Sequence, residues 1–341
     1  MKVNKSPDRI IEIDHQDYLY FGGTAYLGIP TNTDFQNILV KNILLWGSSY
    51  GSSRSANIKL TAYEHSEHFL AKFIKADAAL TTSSGMLAGK LVIDTLNSYT
   101  DCFFHFPDTH AAIKTPTSIS FFIGTELNPR LLDEVKEKIT ILTDSFPSFR
   151  IKEIDLSFLK LIPNNKEITL VIDESHSLGI LGINGCGIYS SINYPNIKRK
   201  IMLASLGKAF GLTGGVIASD SEFIKQIAKN ETFVSSAGMS PAFAQTIADA
   251  KDIYIRQHQK LKDNLDYLND NLVQSKAFCF NKDYPIIYPE DENSAETFAT
   301  NKIIITNFKY PAAAKDLNRI VITANHSSED LDKIIRILNR S

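Results

Sequence analysis

Cysteine is scarce in this chain. Cys102, Cys186 and Cys279 are odd in number, widely spaced and form no CxxC pair. That argues against a disulfide framework and a cysteine-built zinc site, and it suits a reducing compartment. Neither charge dominates, since 36 Lys and Arg face 38 Asp and Glu for a net charge of −2. No segment concentrates basic residues as a nucleic-acid binder does, so no nucleic-acid partner is expected. The first eighteen residues lack the apolar core of a secretory signal. One stretch, 201–219, carries a single charge, Lys208, among four glycines. A lysine at a bilayer centre costs about 2.5–3.5 kcal/mol. The stretch therefore reads as buried soluble structure, and a cytoplasmic protein without a membrane partner is expected.

There is also no repeat, no low-complexity tract and no linker that divides the chain cleanly. What remains is a globular composition, 43% hydrophobic and 22% charged, over 341 residues. At roughly 150 residues per domain this suggests about two domains. Apolar, β-branched runs alternate with amphipathic patterns, the signature of an α/β sheet covered on both faces. Strands are expected at 79–82, 102–106, 118–122, 139–143, 169–173, 202–205 and 215–219, with helices at 62–74, 131–138 and 222–228. Ser240 followed by Pro241 reads as a helix N-cap with proline at the first position. A long helix to about residue 273 is expected to follow. Beyond it come strands at 302–306 and 319–323 and a last helix near 330–338, capped by Ser327 or Ser328. The expected division is an N-terminal segment at 1–44, a large domain at 45–240 and a smaller C-terminal α+β domain at 241–341.

Two segments carry chemistry. In TLVIDESHSLGILGINGCG (169–187), apolar residues run to Ile172 and Asp173 falls where the strand should end. Open α/β sheets place ligands at the carboxyl ends of their strands. Glycines at 179, 182, 185 and 187 then allow tight turns. In ASLGKAFGLTGG (204–215), Lys208 stands among apolar and small residues. Such desolvation lowers a lysine's pKa and makes it a better nucleophile toward carbonyls. Alone, Asp173 could cap a strand and Lys208 could extend its amine to solvent. Together, a lysine for a Schiff base and an acid for a pyridine nitrogen are what pyridoxal phosphate needs.

These two segments resemble the α-oxoamine synthases, the pyridoxal-phosphate group that contains 8-amino-7-oxononanoate synthase, glycine C-acetyltransferase, 5-aminolevulinate synthase and serine palmitoyltransferase. The resemblance extends in family order through TAYLGIP (24–30), SSR (52–54), EHFLAKF (67–73), SSGMLAG (83–89), DTHAAI (108–113), MSPAFAQ (239–245) and LNRIVITANHSSEDLDKII (317–335). It implies the pyridoxal-phosphate-dependent transferase fold of the aspartate aminotransferase type, with a large, mostly parallel sheet. It also implies a homodimer with active sites at the subunit interface.

By the same resemblance, Lys208 forms the aldimine with the cofactor and shuttles the proton at the substrate α-carbon. Asp173 keeps the pyridine nitrogen protonated, His176 bonds the ring's phenolic oxygen with Ser148, and His110 stacks on the ring. Ser84, the amides of Gly85 and Met86, and the Ser205 hydroxyl hold the phosphate at a helix start. Arg319 grips the amino-acid carboxylate, which suits a bidentate fork. No metal is expected. The implied reaction condenses an amino acid with an acyl-CoA and releases carbon dioxide, with biotin synthesis as the first pathway to consider.

The departures from the family pattern lie mostly toward the second substrate, although at Ala237 the family has a threonine whose hydroxyl reaches the phosphate from the partner subunit. Tyr63 replaces a histidine, Ile58 a glycine, Ala237 a threonine, and Thr24-Ala25 an Asn-Asp pair. The likeness also begins short of an N-terminal helix that helps bind acyl-CoA in some members. Transamination, or other α-carbon chemistry without CoA, therefore stands as the alternative. A non-catalytic scaffold is a third reading, which the joint presence of Lys208, Asp173, His176 and His110 disfavours. A more distant one is an α/β-hydrolase: GSSYG (47–51) fits G-x-S-x-G with Ser49 as nucleophile, followed by Asp173 and His326 in hydrolase order. SSRSANIK is a poor helix start after such an elbow. GMLAGK (85–90) fails as a P-loop, being one residue short and followed by Leu91.

Overall fold

The structure is a computed structural model that describes residues 1–147, 150–308 and 317–340. Along the chain, β1 (Ile10–Ile13) and β2 (Gln16–Phe21) form a hairpin. Helices α1 (Thr33–Trp46) and α2 (Thr61–Ile74) lead to β3 (Ala78–Thr82) and α3 (Gly85–Leu96). Strands β4 (Cys102–His105), β5 (Ile119–Ser120), β6 (Phe122–Ile123), β7 (Glu126–Leu127), β8 (Glu137–Asp144), β9 (Lys166–Asp173), β10 (Ile197–Ser205) and β11 (Gly215–Ser219) follow. Then come α4 (Ser221–Ile227), α5 (Glu231–Ser235), α6 (Pro241–Asp249) and α7 (Lys251–Asn271). The chain continues through β12 (Phe278–Asn281), β13 (Tyr284–Pro289), α8 (Ser294–Thr300), β14 (Ile303–Phe308), β15 (Leu317–Val321) and α9 (Ser328–Leu338).

Two compact units result. One comprises Asn37–Gly207 and Leu212–Lys251; the other joins Met1–Gln36, Lys208–Gly211 and Asp252–Ser341. The larger unit holds a seven-stranded sheet in the order β3-β11-β10-β9-β8-β4-β5. Strands β10, β9, β8, β4 and β5 are mutually parallel, and only β11 runs against its neighbours β10 and β3. The run Leu170–Asp173 of β9 is buried at every position, as a strand covered on both faces should be. The core on one side gathers Leu91, Val92, Phe103, Leu142, Val171, Leu203, Ile217 and Phe223.

The smaller unit holds a six-stranded sheet in the order β1-β2-β14-β15-β13-β12. Here β2 lies parallel to β14, so the N-terminal hairpin belongs to the same sheet as the C-terminal strands. Ser327 caps α9 through a capping box with Asp330. Arg9 bonds both carboxylate oxygens of Asp330, one at 2.9 Å, and so ties the N-terminal segment to that helix.

Three local expectations are corrected. The helix expected at 131–138 is absent: Asn128 and Asp133 side chains take the amides of Arg130 and Val135. Buried Lys166 then bonds Asp133 and Glu137, holding the segment extended as it enters β8. The long helix after Ser240 is two helices, because Ala250 leaves helical geometry between α6 and α7. The strand expected at 118–122 divides at Phe121, whose amide bonds His105.

Candidate active site

The carboxyl ends of three neighbouring strands in the larger unit bring polar residues together. Asp144 closing β8 is level with Asp173 closing β9, and Asp173 is level with Leu203 of β10, two residues before Ser205. Asp173 is buried, and its Oδ1 accepts the Ser175 amide at 2.8 Å. The Asp173 carbonyl accepts from Ser145, by the amide at 2.9 Å and the hydroxyl at 3.1 Å. Two residues on, the Ser175 hydroxyl accepts the Ser205 amide at 2.8 Å. His176 lies half-buried in the turn that follows β9.

His110 comes from the segment after β4 and is exposed. Its amide donates to Asp144 Oδ2 at 2.9 Å, and its Nδ1 accepts the Ala112 amide at 3.2 Å. In the neutral ring that bond leaves the proton on Nε2.

The start of α3 supplies the opposite charge. Ser84 is the N-cap, and its hydroxyl accepts the Leu87 amide at 3.1 Å. The amides of Gly85 and Met86, in the first turn, have no acceptor within the helix. With the helix dipole they attract an anion. Glycine is required at 85 by proximity: a Cβ there would come within 2.9 Å of Ser205 Cα and Cβ. The Ser205 hydroxyl accepts the Gly207 amide at 3.3 Å, leaving its proton to donate. A phosphate monoester fits this cradle of two amides and a hydroxyl. A protonated pyridine nitrogen fits a buried carboxylate with one oxygen already oriented.

Lys208 stands in the loop from β10 to β11. The loop's base is closed by Leu206 N to Gly214 O at 3.0 Å and by Leu212 N to Leu206 O at 3.1 Å. The Gly211 amide donates to the Lys208 carbonyl at 3.2 Å. Gly211 has a φ of +69°, and a Cβ there would meet Ile29 Cγ2 at 2.7 Å. Arg319, on β15 of the smaller unit, is only 6% exposed. Among the described residues its buried Nε has no acceptor. It lines a cleft of about 610 Å³ with Tyr20, Gly23, Thr24 and Thr306. A guanidinium that lines a cleft has the fork geometry to take a carboxylate.

Glu174 was not singled out by the sequence, and it organises the loop after β9. It is wholly buried and accepts the amides of Ile188 and Tyr189, both at 2.7 Å, and the Ser177 hydroxyl at 2.8 Å. Burial wins over these bonds and pushes the Glu174 carboxyl up to about 7. A Cβ at Gly187 would lie 2.2 Å from Glu174 Oε2. Lys200 grips the same loop from its other side, through the carbonyls of Tyr189 and Ile192 at 3.1 and 2.7 Å. The sequence signal was a second carboxylate at the strand end, followed by close-set glycines.

Ser148 lies outside the described residues. The hydrolase reading fails on local structure. GSSYG follows helix α1 rather than a strand, and no helix begins until Thr61. His326 is committed at both ring nitrogens: Nδ1 accepts the Thr323 amide at 2.9 Å and Nε2 meets the Tyr20 carbonyl at 3.0 Å. Among the described residues no cluster of three His, Cys, Asp or Glu could hold a metal, and no helix is long and apolar enough to cross a membrane.

Comparison with known proteins gives one answer at three levels. The family model described as "Aminotransferase class I and II" matches residues 153–338. The 8-amino-7-oxononanoate synthase of Petrotoga mobilis is 26% identical, over 94% of this chain and 88% of that one. The serine palmitoyltransferase of Sphingobacterium spiritivorum is 23% identical over 99% and 90%. Among solved structures, the Sphingomonas wittichii serine palmitoyltransferase superposes with a TM-score of 0.83 at 18% identity, covering 97% of this chain and 89% of that one. The Francisella tularensis 8-amino-7-oxononanoate synthase gives 0.70 at 24%, covering 95% and 97%.

Fold and site thus define a pyridoxal-phosphate-dependent transferase. The chain belongs to the aminotransferase class I and II family, in its α-oxoamine synthase branch.

Proposed function

We propose that this protein is a pyridoxal-phosphate-dependent acyltransferase resembling 8-amino-7-oxononanoate synthase, which condenses an amino acid with an acyl-CoA and releases carbon dioxide. The observation that carries the reading is the likeness to synthases of that name along nearly the whole chain, 94% and 99% of it for two of them. The arrangement of Asp173, Ser205 and Gly85 at the strand ends supports the cofactor half of the reading.

Each residue then has a task. The amides of Gly85 and Met86 and the hydroxyl of Ser205 bind the phosphate, with Ser84 fixing the helix start. Asp173, buried and held by the Ser175 amide, would meet the pyridine nitrogen and keep its proton there. His110 would stack on the ring, and His176 would hydrogen-bond its phenolic oxygen. Lys208 Nζ would anchor the cofactor at its aldehyde carbon, the aldehyde oxygen leaving as water, and the same amine would carry the proton at the amino acid's α-carbon. Arg319 holds the amino-acid carboxylate and so orients the α-carbon bonds. The cofactor, when bound, supplies an electron sink for the pair released at that carbon.

The helix α1 supports a homodimer: Val40, Leu44 and Leu45 are 56, 83 and 69% exposed, a surface that a second subunit would cover. A cytoplasmic location and a place in biotin synthesis complete the proposal. Transamination is the second reading, favoured by the name of the matching family model.

The test is a screen of amino acids with acyl-CoA thioesters, reading carbon dioxide and free CoA thiol together. Stoichiometric release of both supports condensation. Amino exchange with a 2-oxo acid, with no thiol released, replaces it by transamination. Arg319→Ala should raise the amino-acid KM about a hundredfold, the scale of a lost charge-assisted pair.

A further inference from the structure

Ser175 connects the two ends of the candidate cofactor site. Its amide donates to Asp173 Oδ1 at 2.8 Å, and its hydroxyl accepts from the Ser205 amide at 2.8 Å. The residue is 7% exposed, so solvent does not readily replace either bond. The second bond has a backbone cause. Alternate amides of a strand face opposite neighbours, and on the β11 side Leu206 N reaches Gly214 O. Ser205 N therefore faces β9, beyond the last paired position, Leu203 with Asp173. Glu174 N still reaches Leu203 O at 2.8 Å. At Ser205 a side chain, that of Ser175, supplies the acceptor. Ser205 in turn is packed against Gly85, where no Cβ could fit.

We propose that Ser175 is a positioning residue for the cofactor, setting the spacing between the acid that meets the ring nitrogen and the hydroxyl that meets the phosphate. This rests on the cofactor reading above. Pyridoxal phosphate is a rigid ring with a short phosphate arm, so both ends bind fully only when that spacing is right. Ser175→Ala removes the Ser205 arm alone, because the amide that holds Asp173 remains.

The test is titration of the apoprotein with pyridoxal phosphate, followed by absorbance, on wild type, Ser175→Ala, Ser205→Ala and the double variant, with apoprotein Tm measured beside it. Ser175→Ala should weaken affinity about three- to tenfold, the scale of one hydrogen bond. Because Ser175 acts through Ser205, the double variant should bind no more weakly than Ser205→Ala. Losses that multiply in the double variant would overturn the proposal, as would wild-type affinity in Ser175→Ala whatever its Tm. If Ser175→Ala does not fold, Ser175→Cys keeps the shape with a weaker acceptor. It should show an intermediate loss, and undiminished affinity there also overturns the proposal. A wild type that binds no pyridoxal phosphate sinks the cofactor reading and this inference with it, whereas a binding wild type with an equal Ser175→Ala sinks this inference alone.

Discussion

Arg54 and Glu67 meet over Thr81. Arg54 Nη1 lies 2.7 Å from Glu67 Oε1 and donates to the Thr81 carbonyl at 2.9 Å, while Glu67 Oε1 accepts the Thr81 amide and hydroxyl at 2.7 and 2.9 Å. The guanidinium also sits 4.2 Å from the Tyr63 ring centroid. Two family-like sequence elements, SSR and EHFLAKF, are thereby joined to the edge strand of the large sheet. The side chains are 12 and 16% exposed. Removing one partner of such a pair leaves a poorly solvated charge.

Arg54→Ala is therefore expected to lower stability by about 3 kcal/mol, and Glu67→Ala similarly. Chemical denaturation at neutral pH measures both. The double replacement Arg54→Met with Glu67→Leu should cost less than the sum of the single changes, because it leaves no orphan charge.

Gly85→Ala tests the phosphate cradle. The new methyl meets backbone atoms of Ser205, at 2.9 Å from Cα and 3.0 Å from N, and backbone cannot rotate away. Separating α3 from Ser205 should reduce pyridoxal-phosphate affinity by at least about tenfold, the value of about 1.4 kcal/mol. Fluorescence titration of the apoprotein is the check. Unchanged affinity would show that the phosphate binds elsewhere.

Glu174 should leave a mark on stability against pH. Its carboxyl lies at about 7 in the folded protein because of burial, with the charge of Glu153 adding to the shift. In the unfolded chain it returns to about 4.3. Between these values the folded state binds more protons than the unfolded state, so this group makes stability fall as pH rises from about 4.3 to 7. Above 7 its contribution is constant. At about 1.4 kcal/mol per pH unit the full change is about 3–4 kcal/mol. Glu174→Gln should lack this slope and be the less stable protein at pH 5, since its amide cannot accept from both Ile188 and Tyr189, with the gap narrowing as pH rises to 7.5. Denaturation midpoints at pH 5 and pH 7.5, compared between the two proteins, measure it.

Much of the large sheet was legible because buried parallel strands are written as short apolar runs, and β9 and β11 end or begin where those runs do. Asp173 was legible for a related reason, since it marks the point at which such a run gives way to a turn, whereas Ser205 and Gly85 were singled out by the family resemblance alone. Other features have causes outside any local window. The pairing of β2 with β14 joins Leu19 to Ile303, a contact no periodicity records. The 131–138 segment has helical composition, yet Lys166 from β9 fixes its acidic groups in an extended path. Ala250 carries no breaker signal, yet separates α6 from α7. Glu174 reads as a surface carboxylate by type, and the amides of Ile188 and Tyr189 with the Ser177 hydroxyl make its burial tolerable.

The most direct measurement is the visible absorbance of the purified protein with pyridoxal phosphate, wild type beside Lys208→Ala, before and after borohydride. Wild type should show a yellow band that reduction converts to a covalent, dialysis-resistant adduct, and Lys208→Ala should form no such adduct. A wild type that stays colourless with added cofactor, or a variant that still traps it covalently, would contradict the assignment of Lys208 and the chemistry built on it.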